Sequence, residues 1–129
     1  MERLEQYGLT PKLQHKVGYF FIDLAFPEIK LAVEADGKKY HTSQIQRERD
    51  EYRQRRIEAQ GWTFERFDGS FIHRHGDVAA AKIALRYFEE RLNKEQRERA
   101  IGRVVGYFSR SDPEYALHLT NLYLKEKQP

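Results

Sequence analysis

Three carboxylates lie in two neighbouring segments that have the composition of β-strands. Asp23 lies within an apolar, aromatic-rich stretch, and Glu34 and Asp36 follow two residues apart in the next such stretch. Because the side chains of a strand alternate between its two faces, Glu34 and Asp36 share a face. Burying a carboxylate without a positive partner is costly, so these positions predict either cationic side chains or a metal ion nearby.

Two interpretations of these acids are open. In the first, Asp23 and Glu34 pair with Arg or Lys neighbours and Asp36 begins a turn. In the second, the acids hold a hard divalent cation such as Mg²⁺, which prefers oxygen ligands. Such a cation polarises a phosphate and lowers the pKa of a bound water, which is the chemistry of phosphodiester hydrolysis. His41 follows closely and is placed to transfer protons, although a lone loop histidine is also an ordinary surface residue.

Basic residues are concentrated directly after the acids. Residues 37–56 contain seven basic and three acidic side chains, a net charge of +4, although the whole chain carries only +3. Arginines beside an acidic site are suited to binding the phosphates that flank a scissile bond, whereas a solvated helix face is the alternative explanation. The residues that we expect to contact nucleic acid are Lys38, Lys39, Arg47, Arg49 and Arg53.

Hydropathy patterns predict the elements that position these residues. The pattern predicts a β-hairpin over residues 17–26 and 29–36, a helix over 43–60, a strand over 62–67, a helix over 77–99, and two further helices over 101–123 that meet at Asp112 and Pro113. Ser43 is the predicted N-cap of the first long helix, and Gly61 is predicted to end it. This order predicts an α/β domain with a mixed sheet.

Composition limits the class of protein. With 129 residues, 40% of them hydrophobic, the chain has room for one modest core. The absence of cysteine excludes disulfides, thiolate zinc sites and cysteine nucleophiles. Neither a long apolar run nor a basic-then-apolar N-terminus occurs, so we expect a soluble protein, and the lack of cysteine fits a reducing, cytoplasmic compartment.

An ordered set of short motifs resembles a known nuclease family. The motifs are Gly18 with Asp23, the sequence Glu-Ala-Asp-Gly-Lys-Lys-Tyr-His over residues 34–41, Arg49-Asp50, Gly61-Trp62, and Arg66-Phe67. Over residues 16–92 the chain is similar to the very-short-patch-repair-like branch of the PD-(D/E)xK superfamily. The resemblance implies a restriction-endonuclease-like mixed sheet flanked by helices over residues 1–100. The helical periodicity, and not the resemblance, predicts that residues 101–129 form a C-terminal helical hairpin packed on this domain.

The resemblance also implies roles for individual residues. Asp23, Glu34 and the backbone carbonyl of Ala35 match the metal ligands, and His41 matches a catalytic histidine. Asp36 takes the place of the lysine or histidine of other members, which leaves His41 and Lys38 as candidates to activate the attacking water. Members often use a glutamate from the N-terminal helix, for which Glu5 or Glu2 would serve here.

The implied function is a Mg²⁺- or Mn²⁺-dependent DNA endonuclease that nicks or cleaves its substrate. The resemblance also implies a bacterial or phage intracellular protein that acts in DNA repair, recombination, or mobile-element and phage defence. Two alternatives are a catalytically degenerate module that only binds nucleic acid, which the missing lysine favours, and an RNA-cleaving nuclease. The resemblance does not extend to residues 101–129, which we expect either to stabilise the domain, to contact DNA, or to bind a protein partner or a second copy.

Overall fold

The computed structural model describes residues 2–36 and 43–124, which fall into two compact units. The first comprises residues 10–36 and 43–79 and the second residues 2–9 with 80–124. The strands are β1 (Lys12–Val17), β2 (Phe20–Phe26), β3 (Leu31–Asp36) and β4 (Thr63–Asp68). The helices are α1 (Glu2–Glu5), α2 (Gln44–Glu58), α3 (Gly69–Arg91), α4 (Lys94–Ser111) and α5 (Pro113–Leu119). The predicted division near residue 100 stays a prediction.

The first unit contains a mixed sheet in the order β1-β2-β3-β4. β1, β2 and β3 are antiparallel, whereas β4 lies parallel to β3. A parallel pair requires a long crossover connection, and α2 lies within this one. The predicted α/β class with a mixed sheet is therefore confirmed.

The N-terminal hairpin differs from the predicted single strand over residues 17–26. The structure has two strands there, joined by a turn in which Gly18 adopts φ +60°. Glycine populates this left-handed region at little steric cost. β1 was missed because its polar residues Lys12, Gln14 and Lys16 alternate with only Leu13 and Val17 as apolar neighbours, so it has little of the hydrophobic signal that reveals a strand.

β3 is an inner strand of the sheet and carries both Glu34 and Asp36. Its residues from Leu31 to Glu34 are all buried. It pairs with β2 on one side and β4 on the other, which removes its backbone from water. The core beside it is formed by Val17, Ile22, Ala25, Ala32, Ile57 and Trp62.

α2 begins and ends as the sequence predicts. The Ser43 hydroxyl oxygen accepts a hydrogen bond from the Gln46 amide at 3.1 Å, and Gly61 follows the helix with φ +90°. Ile57 is its buried residue, whereas Ile45 and Tyr52 are exposed. Most of the surface of α2 is therefore accessible to a ligand.

The predicted single helix over residues 77–99 is wrong. α3 ends at Arg91, and Asn93 caps a new helix, α4. The Asn93 side chain accepts from the Gln96 amide at 2.9 Å, and the Gln96 side chain accepts from the Asn93 amide at 3.2 Å. This capping box is an Asn-x-x-Gln signal that the continuous apolar periodicity obscured.

The C-terminal helices of the second unit pack on one another. The Asp112 carboxylate accepts from the Tyr115 amide at 3.1 Å, which confirms the predicted cap before Pro113. The rings of Phe108 and Tyr115 meet edge to face at 4.8 Å between centroids. In this part of the chain, burial raises the pKa of Tyr123, with a further contribution from nearby Glu89. Across the described ranges, no helix has both the length and the apolar character that crossing a membrane requires.

Candidate functional site

Glu34 is a buried carboxylate near the end of the central strand. Its residue surface is only 8% exposed, and it is the charged residue found in the described core. A charge at such a position requires compensating partners. Two arginines, one from α2 and one from β4, provide them.

Arg53 reaches Glu34 from α2. Its Nη1 donates to Glu34 Oε2 at 3.2 Å, and its Nη2 contacts Glu34 Oε1, so the guanidinium pairs with both carboxylate oxygens. Nη2 also donates to the backbone carbonyl of Phe21 at 2.6 Å. A bidentate pair of this kind fixes both the position and the orientation of the carboxylate.

Arg66 reaches the same carboxylate from β4. The parallel register places Arg66 opposite Glu34, and its Nη1 lies 3.3 Å from Glu34 Oε2 and 2.8 Å from Asp36 Oδ1. Its Nη2 donates to Gln54 Oε1 at 2.7 Å, and the guanidinium carbon lies 5.0 Å from the centroid of the Phe64 ring. Arg66 therefore links both acids of β3 to α2.

Asp23 has a different environment. It is exposed, and its Oδ1 accepts a hydrogen bond from Gln14 Nε2 at 3.0 Å across the β1–β2 pair. The described pairing of β2 with β3 ends at Leu24 and Val33. Asp23 and Glu34 are therefore the first residues beyond that pairing.

The described acids do not form a ready cation pocket. Within residues 2–36 and 43–124, no group of three or more Asp, Glu, His or Cys side chains is arranged to hold a metal ion. The oxygen donors are of the type that Mg²⁺ prefers, but both oxygens of Glu34 accept from guanidinium groups and Asp36 pairs with Arg66. The ion pair expected for Glu34 is thus observed. Asp36, which was expected only to begin a turn, pairs with Arg66, and Asp23 accepts a hydrogen bond from Gln14. The ligand roles of Asp23, Glu34 and Ala35 stay predictions.

Other predicted site residues are placed as follows. Arg47 and Arg49 are exposed on α2, whereas Arg53 is partly buried against Glu34. Glu5 is exposed at the end of α1, in the second unit. Three further predicted residues lie outside the described ranges: Lys38, Lys39 and His41.

Sequence reasoning missed Arg66, Gln54 and Gln14 as members of this hydrogen-bonded set. Arg66 was noted only as part of a motif, yet its position opposite Glu34 follows once β3 and β4 are aligned in parallel. Gln54 follows Arg53 directly on α2. Neither glutamine carries a sequence signal of its own, because hydrophobic periodicity does not distinguish one polar residue from another on a polar helix or an edge strand.

The arrangement has two guanidinium groups that are partly accessible. The side chains of Arg53 and Arg66 are 22% and 31% exposed, and together they face two carboxylates. Guanidinium groups bind phosphate oxygens with the same fork geometry that they use for carboxylates. The site therefore combines acidic oxygens with donors that suit a phosphate.

Comparison with known proteins identifies the family. The family model REase_MTES_1575 matches residues 1–86, which include the whole sheet, α1, α2 and most of α3. Comparison with curated proteins and with solved structures gave no significant match. The family match contains every residue of the Glu34 site, and it shows that the chain belongs to the restriction-endonuclease-like family REase_MTES_1575.

Proposed function

We propose that this chain is a DNA endonuclease that nicks or cleaves phosphodiester bonds with the help of Mg²⁺ or Mn²⁺, as in the very-short-patch-repair-like branch. Membership of a restriction-endonuclease-like family suggests nuclease activity and DNA as the bound substrate. The observation that carries the proposal is Glu34, a buried carboxylate held between two arginines at the end of the central strand.

A purely structural role explains this cluster poorly. Replacing a buried ion pair by apolar residues of similar volume is often neutral or stabilising, so such a pair is a weak stability device. A carboxylate fixed in one orientation, beside arginines of the kind that bind phosphate, offers the preorganised charges that stabilise the transition state of phosphodiester hydrolysis. The cluster therefore supports a functional role for Glu34, Arg53 and Arg66.

The proposed roles follow from the positions of the oxygens. Asp23, Glu34 and the carbonyl of Ala35 would hold the cation, which when bound polarises the phosphate and acidifies a water. Glu34 Oε1 contacts Arg53, whereas Oε2 contacts both Arg53 and Arg66. Because each carboxylate oxygen has two lone-pair sites, Oε1 can accept from Arg53 and still bind a cation. The two guanidinium groups beside it are suited to a phosphate oxygen of the substrate.

The remaining residues are assigned to proton transfer and DNA binding. Asp36 is proposed to assist the cation site, His41 to assist proton transfer, and Glu5 to add a further acidic side chain. Arg47 and Arg49, exposed on α2, together with Lys38 and Lys39, are proposed to contact flanking phosphates.

A cleavage assay tests this function. Supercoiled, nicked and mismatched DNA is incubated with the protein in Mg²⁺ or in EDTA, together with the variants Asp23→Asn and Glu34→Gln. We expect each variant to reduce cleavage by at least about 10–100-fold, which is the loss seen even when a residue that only supports a metal ligand is replaced. The matched control is Glu51→Gln, which removes an exposed carboxylate of α2 whose partner is Arg55 and should retain activity. Cleavage that persists in EDTA or in Asp23→Asn contradicts the proposal.

One observation favours the alternative of a non-catalytic nucleic-acid-binding module. Guanidinium groups already compensate the charges of Glu34 and Asp36, so folding does not require a metal cation to compensate them. Thermal unfolding with and without Mg²⁺ separates the two functions, because a ligand of the folded state raises Tm. A Tm rise that Glu34→Gln abolishes supports the nuclease, whereas DNA binding without such a rise supports the module. Parallel RNA substrates test the RNA-cleaving alternative.

A further inference from the structure

One side of α4 carries an exposed row of arginines around a tyrosine. Arg99, Arg103, Tyr107 and Arg110 are all exposed, whereas the buried residues of the helix are Ala100, Ile101, Val104 and Phe108. Because an α-helix turns about 100° per residue, the four exposed residues fall within an arc of about 80°. We call this row the α4 basic face.

The two acidic residues of α4, Glu95 and Glu98, lie near the start of the helix and precede the α4 basic face. Residues 99–111 contain three arginines and no Asp or Glu. Within the described ranges, none of these three guanidinium groups makes an ion pair, in contrast to exposed Arg55 on α2, which pairs with Glu51. The face therefore presents three positive charges to a ligand.

Two glycines, Gly102 and Gly106, leave the surface beside the arginines without side chains. A Cβ placed at Gly102 or Gly106 would meet no atom within 4 Å, so packing within the described structure does not require glycine at either position. Alanine favours a helix interior more than glycine does. The two glycines keep this side of α4 accessible to the close approach of another molecule, and Tyr107, 44% exposed, adds a flat ring beside them.

We propose that the α4 basic face binds the phosphate backbone of double-stranded DNA, as a contact additional to α2. At a rise of 1.5 Å per residue, the span from Arg99 to Arg110 is about 16 Å, which matches about five base-pair steps of 3.4 Å. The choice of DNA rests on the proposed function, whereas the contact itself needs no cleavage. It gives the part of the chain beyond residue 86, outside the family match, a role in substrate binding.

A second copy of the chain fits this face less well. A symmetric dimer brings the same patch of both copies together, and here it would oppose three arginines with three arginines. A polyanion instead matches the charge of the α4 basic face along its whole length. An acidic protein segment is negatively charged, as DNA is, and the experiment below distinguishes the two because it measures DNA binding directly.

The test measures DNA affinity as a function of salt in EDTA, so that binding is observed without cleavage. Fluorescence anisotropy of a labelled duplex is recorded for the full chain, for Arg103→Gln/Arg110→Gln, and for Arg91→Gln/Lys94→Gln. The control pair removes the same charge from exposed positions outside the α4 basic face. Each lost phosphate contact lowers the slope of log K against log[salt] by about 0.9.

We expect the Arg103/Arg110 variant to lower that slope by about 1.8 and the control to leave it nearly unchanged. Circular dichroism and Tm verify that both variants are folded. Equal effects of the two variants, or an unchanged slope in the first, overturn the proposal. Loss of a dimer in sedimentation, without a change in slope, assigns the face to a second copy instead. Failure of cleavage alone contradicts the nuclease function and leaves this result standing.

Discussion

Glu34 is only 8% exposed, and two guanidinium groups compensate the charge of its carboxylate. Removing one partner leaves a poorly solvated carboxylate with half of its compensation. We therefore expect Arg53→Met to lower the free energy of unfolding by about 3 kcal/mol, measured by urea denaturation.

The exposed pair of Arg55 and Glu51 provides the control for that prediction. The side chains of this pair are 76% and 67% exposed, so Arg55→Met should cost less than about 0.5 kcal/mol. In a double-mutant cycle, Arg53→Met and Glu34→Gln should show a coupling of about 1 kcal/mol or more. Additive effects would show that the buried pair is not a coupled unit.

Tyr123 gives a prediction for alkaline pH. Burial, followed by the nearby charge of Glu89, raises the pKa of Tyr123 above its ordinary value. The unfolded chain therefore loses the phenol proton first, so the stabilisation is complete below about pH 10 and is lost as pH rises through the folded-state pKa. We expect Tm to fall less steeply above pH 10 in Tyr123→Phe than in the unchanged protein. Identical slopes would contradict this.

At the scale of elements, two glycine substitutions should have opposite signs. Gly61 follows α2 and adopts φ +90°, and a Cβ at this position would lie 3.3 Å from Lys30 Nζ. We expect Gly61→Ala to destabilise the protein by about 1–2 kcal/mol. Gly106 lies in α4 with open space around it, so Gly106→Ala should stabilise by about 0.5–1 kcal/mol. Thermal unfolding of both variants checks the pair, and a loss of stability in both would contradict the second prediction.

The elements that the sequence predicted correctly have strong local signals. α2 has a serine cap and a terminal glycine, and β3 has a continuous apolar core. The errors occur where a local signal is weak or ambiguous. β1 is an edge strand with polar alternation, and the α3–α4 boundary lies inside a continuous apolar period that only the Asn93 cap interrupts.

At the scale of the whole molecule, the modest net charge of +3 conceals separate basic regions. Arg47 and Arg49 lie on α2, and Arg103 and Arg110 lie on α4. If both regions contact DNA, the losses in salt slope should add, giving about 3.6 for the fourfold Arg→Gln variant against about 1.8 for each pair. The anisotropy measurement in EDTA checks this sum. A fourfold variant no weaker than one pair would show that only one region contacts DNA.

The sequence by itself determined the α/β class, the acidic segment with its basic neighbour, and the ends of α2. These features depend on short-range patterns of polarity, capping residues and glycines. Only the tertiary structure showed that Glu34 meets Arg53 from nineteen residues away and Arg66 from across the parallel pair of strands. Strand register and the packing of a crossover helix decide which charges become neighbours, and no local pattern contains that information.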